Sequence, residues 1–145
     1  MKENRNELVV EFDSRSENEG LARIIVAGFL LPINPTVDEM ADVKTAVSEA
    51  VTNAIIHGYE GRHGKVKMSV KQQEDELYIE IEDYGCGICD ITQAMEPLYT
   101  SKPQLERSGM GFTFMEAFMD EIIVTSEVGR GTLVKMHKKL GHNLL

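Results

Sequence analysis

A carboxylate, a carboxamide and an imidazole follow one another at four-residue intervals in the first half of the sequence. They belong to Glu49, Asn53 and His57, and this spacing places them on one face of a helix. Asn53 is unusual in a helix interior, because its side chain competes for backbone hydrogen bonds. A carboxylate one turn before a carboxamide oxygen suits a general base beside a Mg²⁺ ligand. Taken alone, however, the pattern is better explained as a solvated polar helix face.

A second cluster combines an aspartate with alternating glycines directly after a predicted strand. In Asp83-Tyr84-Gly85-Cys86-Gly87, the glycines allow the backbone to approach a flat ligand closely. The Asp83 carboxylate could accept a hydrogen bond from an exocyclic amine. An ordinary turn explains this cluster about equally well, since Asp and Gly are common turn residues.

A third cluster, at residues 107–112, opens a predicted helix with glycines. Gly109 and Gly111 expose backbone N–H groups at the positive end of the helix dipole, where phosphates bind. Arg107 and Lys102 add cationic side chains that can reach a terminal phosphate. A glycine pair by itself also fits a flexible loop, so this motif depends on the other two.

Apolar residues at three- and four-residue spacing predict three helices that position these clusters. The first begins with a capping box at Ser16–Glu19, and the second begins with another at Thr36–Glu39. The second helix carries the first cluster and ends at Gly58. The third covers residues 112–118. Residues 84–111 are predicted to form a long irregular segment, and loops of that length are usually functional or disordered.

Alternating apolar residues predict five strands. The resulting order is β-α-α-β-β-loop-α-β-β. Mostly antiparallel strands with helices on one face give an α+β sandwich, and we expect residues 1–145 to form one domain. The strands are centred on residues 8–12, 66–70, 77–81, 122–124 and 132–134.

The 145 residues carry a formal net charge of −9. A general nucleic-acid binder needs a basic face, so we expect no direct contact with nucleic acid. An acidic surface can still meet a basic protein partner. The sequence has neither an apolar run long enough to span a bilayer nor a signal-peptide pattern at its start. We therefore predict a cytoplasmic protein without membrane association.

The pair Cys86 and Cys89 forms a CxxC motif, which occurs in zinc and redox sites. No second CxxC or close histidine pair completes a zinc site. A redox pair normally opens a helix after a strand, whereas this pair lies in a glycine loop. We therefore interpret both cysteines as reduced thiols.

Three familiar nucleotide motifs are excluded by the sequence. A P-loop requires GxxxxGK[ST], but Tyr59 replaces its first glycine and Val66 follows Gly64-Lys65. A eukaryotic-type protein kinase requires an HRD loop, which is absent. A Rossmann fingerprint requires a third glycine and a preceding strand, and neither accompanies Gly109.

Taken in order, the three clusters resemble the N, G1 and G2 boxes of the GHKL superfamily of ATPases and kinases. Within that superfamily they look most like the sporulation anti-sigma serine kinases. The resemblance extends from about Leu8 to Lys138. It rests on VSEAVTNAIIHGY at 47–59, KP at 102–103 and ERSGMGFT at 106–113.

The resemblance implies a Bergerat ATP-binding fold, with ATP and Mg²⁺ as cofactors. Glu49 corresponds to the catalytic carboxylate, Asn53 to the Mg²⁺ ligand and Arg107 to the group that reaches the γ-phosphate. A lid of about residues 88–108 would cover the nucleotide. The remaining matched positions would line the nucleotide site: Asp83, Gly85, Gly87 and Thr132 around adenine, and Lys102, Gly109 and Gly111 around the phosphates.

The resemblance also implies partners. The family forms homodimers that hold a sigma factor, sigma factor F in the sporulation branch, and phosphorylates a serine of a small STAS-type anti-anti-sigma protein. Arg23 corresponds to a position used for partner contact. Two alternatives stay open: a related anti-sigma kinase of the stress response, and an ATP-gated binding module without useful turnover. A histidine kinase or gyrase-like ATPase is disfavoured, because 145 residues leave no room for the additional domain.

Overall fold

A computed structural model describes residues 4–88, 91–95 and 111–141 of the chain. These ranges contain five strands and four α-helices, with a 3₁₀ turn at Leu31–Ile33 and a π-helix at Asn53–Gly58. The strands and helices are, in chain order, β1 (Arg5–Asp13), α1 (Glu17–Leu30), α2 (Val37–Thr52), β2 (Lys65–Gln73), β3 (Glu76–Asp83), α3 (Ile91–Ala94), α4 (Gly111–Phe118), β4 (Glu121–Glu127) and β5 (Gly131–Lys139).

The strands form one sheet in the order β1-β2-β3-β5-β4, and each neighbouring pair is antiparallel. Alternate residues point to opposite faces of a strand. In β2, Val66, Met68 and Val70 are therefore buried, whereas Lys65 and Lys67 lie on the other face. The predicted α+β sandwich with an antiparallel sheet is confirmed.

The helices bury their apolar stripes against the inner face of this sheet. Val26 and Leu30 of α1, and Val47 and Val51 of α2, have no solvent-exposed surface. Met115 brings α4 into the same cluster. The hydrophobic effect of burying these side chains holds the two layers together, and the opposite face of the sheet is left uncovered by helices in the described part of the chain.

One of the two predicted capping boxes is confirmed. The Thr36 side chain accepts the N–H of Glu39, and the Glu39 carboxylate accepts the N–H of Thr36. The prediction for Ser16 is wrong, because that residue has helical backbone angles and its side chain caps nothing. The Glu19 carboxylate instead accepts a hydrogen bond from Ser48 of α2. A contact with a distant helix has replaced the local one.

The prediction of a regular α-helix up to Gly58 is also wrong in its last turns. After Thr52, residues Asn53–Gly58 form a π-helix, and the chain leaves it at Tyr59. The Asn53 N–H contacts the carbonyl oxygens of both Ala50 and Glu49 at this junction. Wider turns of this kind are rare and occur frequently at functional sites.

The long loop predicted for residues 84–111 contains one short helix, α3, among its described residues. In the described ranges, no helix has the length and apolar character needed to cross a membrane.

Candidate functional site

Three polar side chains form a row across the inner face of the sheet, beside mainly apolar neighbours. Asp83 at the end of β3 lies opposite Thr132 of β5, and Thr132 lies opposite Ser126 of β4. Directly opposed residues have Cβ atoms about 4.5–5.5 Å apart, so the three side chains are close neighbours. Asp83 and Thr132 are buried, at 5% and 8% exposure. The sheet therefore presents a small polar patch at its edge.

Asp83 is the electrostatic centre of this patch. Burial raises the pKa of its carboxyl group to about 6, although hydrogen bonds from the backbone N–H groups of Gly85 and Thr132 act in the opposite direction. The Gly85 N–H donates to Oδ1 at 2.9 Å. A buried carboxylate needs hydrogen-bond donors, and its remaining lone pairs make it a strong acceptor for a ligand amine.

The backbone around Asp83 is packed too closely for side chains at two glycines. A Cβ on Gly85 would lie 1.9 Å from the carbonyl oxygen of Gly58, at the end of the π-helix. A Cβ on Gly131, whose φ is 124°, would lie 2.1 Å from the carbonyl oxygen of Asp83. These glycines therefore bring three separate segments of backbone into contact around the polar patch, where a side chain would not fit.

The first cluster of the sequence lies against the start of α4. A Cβ built on Gly111 would be 3.0 Å from the Asn53 amide nitrogen and 3.4 Å from a carboxylate oxygen of Glu49. Glu49 and Asn53 are both half-buried. The structure thus brings together residues from two of the three sequence clusters, more than fifty positions apart along the chain.

The Asn53 amide has an unmet hydrogen-bonding capacity. Its nitrogen is buried and has no hydrogen-bond partner within the described residues. Buried polar atoms in native proteins almost always have a partner, so each exception calls for an explanation. Nitrogen and oxygen of an amide exchange by a half-turn of the group, so the same position can offer an oxygen to a cation.

This arrangement fits a magnesium ion that is held mainly by a bound phosphate. Carboxylate and amide oxygens are ligands that Mg²⁺ accepts, and Mg²⁺ usually takes only one or two protein ligands together with phosphates and water. The described residues contain no cluster of three or more His, Cys, Asp or Glu side chains that could hold a metal unaided. Asn53 and Glu49 together match the one or two protein ligands that such a magnesium ion takes.

The orientation of α4 favours an anion at the same place. Gly111, the first residue of α4 among the described residues, lies beside Asn53 and Glu49, and the positive end of a helix dipole is at its N-terminus. At the other end, the Lys138 ammonium donates to the carbonyl oxygen of Phe118 at 2.8 Å. A cation at the C-terminus complements the dipole and fixes the helix to β5.

The other predicted site residues have different outcomes. Lys102, Arg107 and Gly109 lie outside the described residues, as does Cys89. The Cys86 thiol is half-buried and donates to the carbonyl oxygen of His57. Burial raises the pKa of this thiol, which keeps it protonated and poorly nucleophilic.

Arg23 lies on the exposed side of α1. Its guanidinium forms an ion pair with Glu19 at 2.9 Å, and Glu19 also accepts a hydrogen bond from Ser48. Ser48 directly precedes Glu49 on α2. A chain of polar contacts therefore links the surface of α1 to the helix that carries the proposed catalytic carboxylate.

Ser126 is a site residue that the sequence analysis missed. It accepts a hydrogen bond from the backbone N–H of Ile88 and contacts the hydroxyl of Thr132. Its signal was present, because Ile122, Val124 and Ser126 share the inner face of β4 and only the last is polar. A polar residue at a core-facing strand position needs a partner.

Comparison with known families identifies the class to which this chain belongs. The profile of the family described as "Histidine kinase-like ATPase domain" matches residues 12–138. The chain belongs to this family. Among curated relatives, a Clostridium beijerinckii protein named Anti-sigma F factor is 59% identical over 135 residues, which cover 92% of this chain and 94% of the relative. The resemblance stated from the sequence motifs is confirmed.

Solved structures give the same architecture at low sequence identity. The RsbU and RsbW domains of a Mycobacterium tuberculosis protein match with a TM-score of 0.68 and 20% identity, over 93% of this chain and 32% of that one. The catalytic domain of the histidine kinase ThkA matches with a TM-score of 0.57 and 14% identity, over 92% of this chain and 96% of that one. Both comparisons confirm the fold alone.

Proposed function

We propose that this protein is a cytoplasmic anti-sigma factor that binds ATP with Mg²⁺ and transfers the γ-phosphate to a serine of an anti-anti-sigma protein. The sigma factor it inhibits is sigma factor F, as the names of relatives more than 50% identical suggest. The ATP-binding part of the proposal is supported by membership of the ATPase domain family. In this proposal the protein binds neither nucleic acid nor a membrane directly, and its active form is a homodimer.

The observation that carries the enzymatic proposal is the position of Gly111. This first residue of α4 lies against both Glu49 and the amide of Asn53, whose nitrogen has no hydrogen-bond partner among the described residues. A helix N-terminus, a carboxylate and an amide that can offer oxygen are the groups that phosphate, an attacking hydroxyl and Mg²⁺ respectively require. A polar helix face exposed to solvent, the competing interpretation of the sequence, does not bury an amide without a partner.

Each group then has a defined task. The adenine amine donates to the Asp83 carboxylate, and Thr132 completes the base site. Bound Mg²⁺ supplies charge neutralisation at the phosphate oxygens. Asn53 holds the metal, and the backbone at Gly109 and Gly111 holds the phosphates, with Lys102 and Arg107 beside them. The proposed catalytic residues are Glu49 and Arg107.

Glu49 acts on the phosphate acceptor. A serine hydroxyl is a weak nucleophile, so it must be oriented and must lose its proton as the new bond to phosphorus forms. The Glu49 carboxylate accepts that proton. Phosphoryl transfer otherwise depends mainly on alignment and charge neutralisation, which explains why so few side chains are needed.

A phosphate-transfer assay tests the proposal. The purified chain is incubated with Mg²⁺, ATP labelled at the γ-phosphate and a STAS-type anti-anti-sigma protein. Binding of sigma factor F is measured separately with ATP and with ADP. The variant Glu49→Gln keeps the size of the side chain and removes its charge, and Glu80→Gln, on the exposed face of β3, is the matched control.

We expect labelled phosphoserine with the wild type and with Glu80→Gln. In Glu49→Gln, transfer should fall by about 10²–10⁴-fold, the usual contribution of general-base catalysis, with ATP binding retained. A wild-type protein that binds Mg²⁺–ATP and sigma factor F without transferring phosphate would contradict the kinase proposal and favour an ATP-gated binding module. Preference for a stress-response sigma factor would correct the partner.

A further inference from the structure

The hydroxyl of Ser126 has three neighbours, and together they determine where its proton lies. The backbone N–H of Ile88 is 2.7 Å away and can only donate. The carbonyl oxygen of Gly131 is 3.1 Å away and can only accept. The Thr132 hydroxyl, at 2.8 Å, can do either. Since a serine hydroxyl carries one proton and two lone pairs, all three contacts are satisfied together in only one way.

In that arrangement Ser126 donates its proton to Gly131 and accepts from both Ile88 and Thr132. The proton of the Thr132 hydroxyl is therefore committed to Ser126. The lone pairs of the Thr132 oxygen remain, so toward the rest of the site this hydroxyl is only an acceptor. A hydroxyl normally rotates to suit its partner, and Ser126 removes that freedom.

The consequence concerns the edge of the base that the site accepts. Thr132 lies directly opposite Asp83 on the neighbouring strand, and both side chains are buried. A carboxylate and a hydroxyl fixed as an acceptor both require donors. The 6-amino group of adenine is a donor, whereas the 6-oxo group of hypoxanthine or guanine is an acceptor, so at that position it can satisfy neither protein group. Unpaired buried groups are the basis of strong discrimination.

We propose that Ser126 is a specificity-determining positioning residue, which fixes the Thr132 hydroxyl as an acceptor and thereby favours 6-aminopurine over 6-oxopurine nucleotides. The inference rests on the proposed ATP binding and deepens it. Ser126 touches no substrate in this mechanism, because it acts through Thr132. Its hydrogen bond with Ile88 also fixes the backbone that leaves the base site, so the test must separate specificity from general support of the site.

The test compares the dissociation constants of ATP and inosine triphosphate, both with Mg²⁺, by titration calorimetry on the full chain. Ser126→Ala removes the hydroxyl, and Ser126→Thr retains it. Thr125→Ala is the matched control, since Thr125 is the preceding residue of β4 and lies on the exposed face. Ser126→Cys retains a side chain of similar size with weaker hydrogen bonds and serves if the alanine variant does not fold.

We expect the wild type and Thr125→Ala to prefer ATP equally. In Ser126→Ala the preference for ATP over inosine triphosphate should fall about five- to tenfold, which corresponds to the loss of about one hydrogen bond's discrimination. Ser126→Cys should change in the same direction, and Ser126→Thr should restore the preference. The freed Thr132 hydroxyl can then turn and donate to a 6-oxo group.

Two results would overturn the inference. An unchanged ratio in both Ser126→Ala and Ser126→Cys would show that Thr132 is not controlled by Ser126. An equal loss of affinity for the two nucleotides would show that Ser126 only supports the backbone. These results differ from failure of the proposed function, in which the wild type would bind neither nucleotide.

Discussion

Replacing Asp83 by asparagine should stabilise the free protein and abolish its nucleotide binding. The carboxyl group is 5% exposed, and burial raises its pKa from 3.8 to about 6. At about 1.4 kcal/mol for each pH unit, this difference corresponds to about 3 kcal/mol by which ionised Asp83 destabilises the folded state. The folded pKa lies above the unfolded one, so the destabilisation is complete above about pH 6 and disappears as the pH falls toward 4.

The asparagine variant has no charge at any of these pH values. Its oxygen can still accept the Gly85 N–H, but it loses acceptor capacity toward the Thr132 N–H, at a cost of about 1 kcal/mol. We therefore expect Asp83→Asn to exceed the wild type by about 2 kcal/mol in free energy of unfolding at pH 8. This advantage should shrink as the pH falls, and below about pH 4 the lost hydrogen bond should leave the variant less stable than the wild type by up to about 1 kcal/mol. The same substitution places an amide where the adenine amine needs an acceptor, so ATP binding should be lost.

Urea unfolding of both proteins without nucleotide, at several pH values from 4 to 8, measures the difference directly. Using the difference between variants cancels the contributions of the other acidic groups. Glu80→Gln, on the same strand but exposed, is the matched control. If Asp83→Asn were less stable than the wild type at pH 8, or if the difference did not change with pH, Asp83 would not be a buried carboxylate that destabilises the folded state.

Three other substitutions test the remaining parts of the site. Asn53→Ala should weaken binding of Mg²⁺–ATP in calorimetry while leaving unfolding by urea almost unchanged, because the amide nitrogen has no partner to lose among the described residues; unaltered affinity would make Asn53 a structural group. Gly111→Ala places a Cβ 3.0 Å from the amide nitrogen of Asn53. Displacing this packed neighbour costs about 1–3 kcal/mol, so ATP binding should weaken about tenfold or more. Wild-type affinity for ATP would show that α4 does not contact the phosphates. Arg23→Ala should abolish pull-down of the sigma factor while ATP binding remains, and normal binding of both partner proteins would refute a contact role for this arginine.

The sequence alone predicted the class of fold because each layer leaves a local signature. Alternation in residues such as Val66, Met68 and Val70 depends only on the two-residue repeat of a strand that is buried on one face. The capping box at Thr36 depends on two side chains three residues apart and was confirmed. The order of the three clusters was also sufficient to identify the family. The roles of Lys102 and Arg107, the lid and the single-domain organisation stay predictions.

What the sequence could not decide depends on contacts between distant segments. Glu19 had the right spacing to cap α1 at Ser16, but α2 presents Ser48 to it, and the long-range hydrogen bond prevailed. The last turns before Gly58 became a π-helix, although the four-residue spacing of the sequence predicted an α-helix. Local periodicity carries no information about the tertiary packing that selects between such alternatives.

The site itself divides in the same way. Residue types showed that Glu49, Asn53 and Asp83 have the chemistry a nucleotide site needs, and the resemblance to a family, rather than their spacing alone, assigned them to one. Only the tertiary structure decided that Gly111 rests against Asn53 and that strand pairing aligns Asp83, Thr132 and Ser126. Strand register and helix packing are properties of the whole chain. They set the burial that raises the pKa of Asp83 and the hydrogen bonds that orient Thr132, neither of which follows from neighbouring residues.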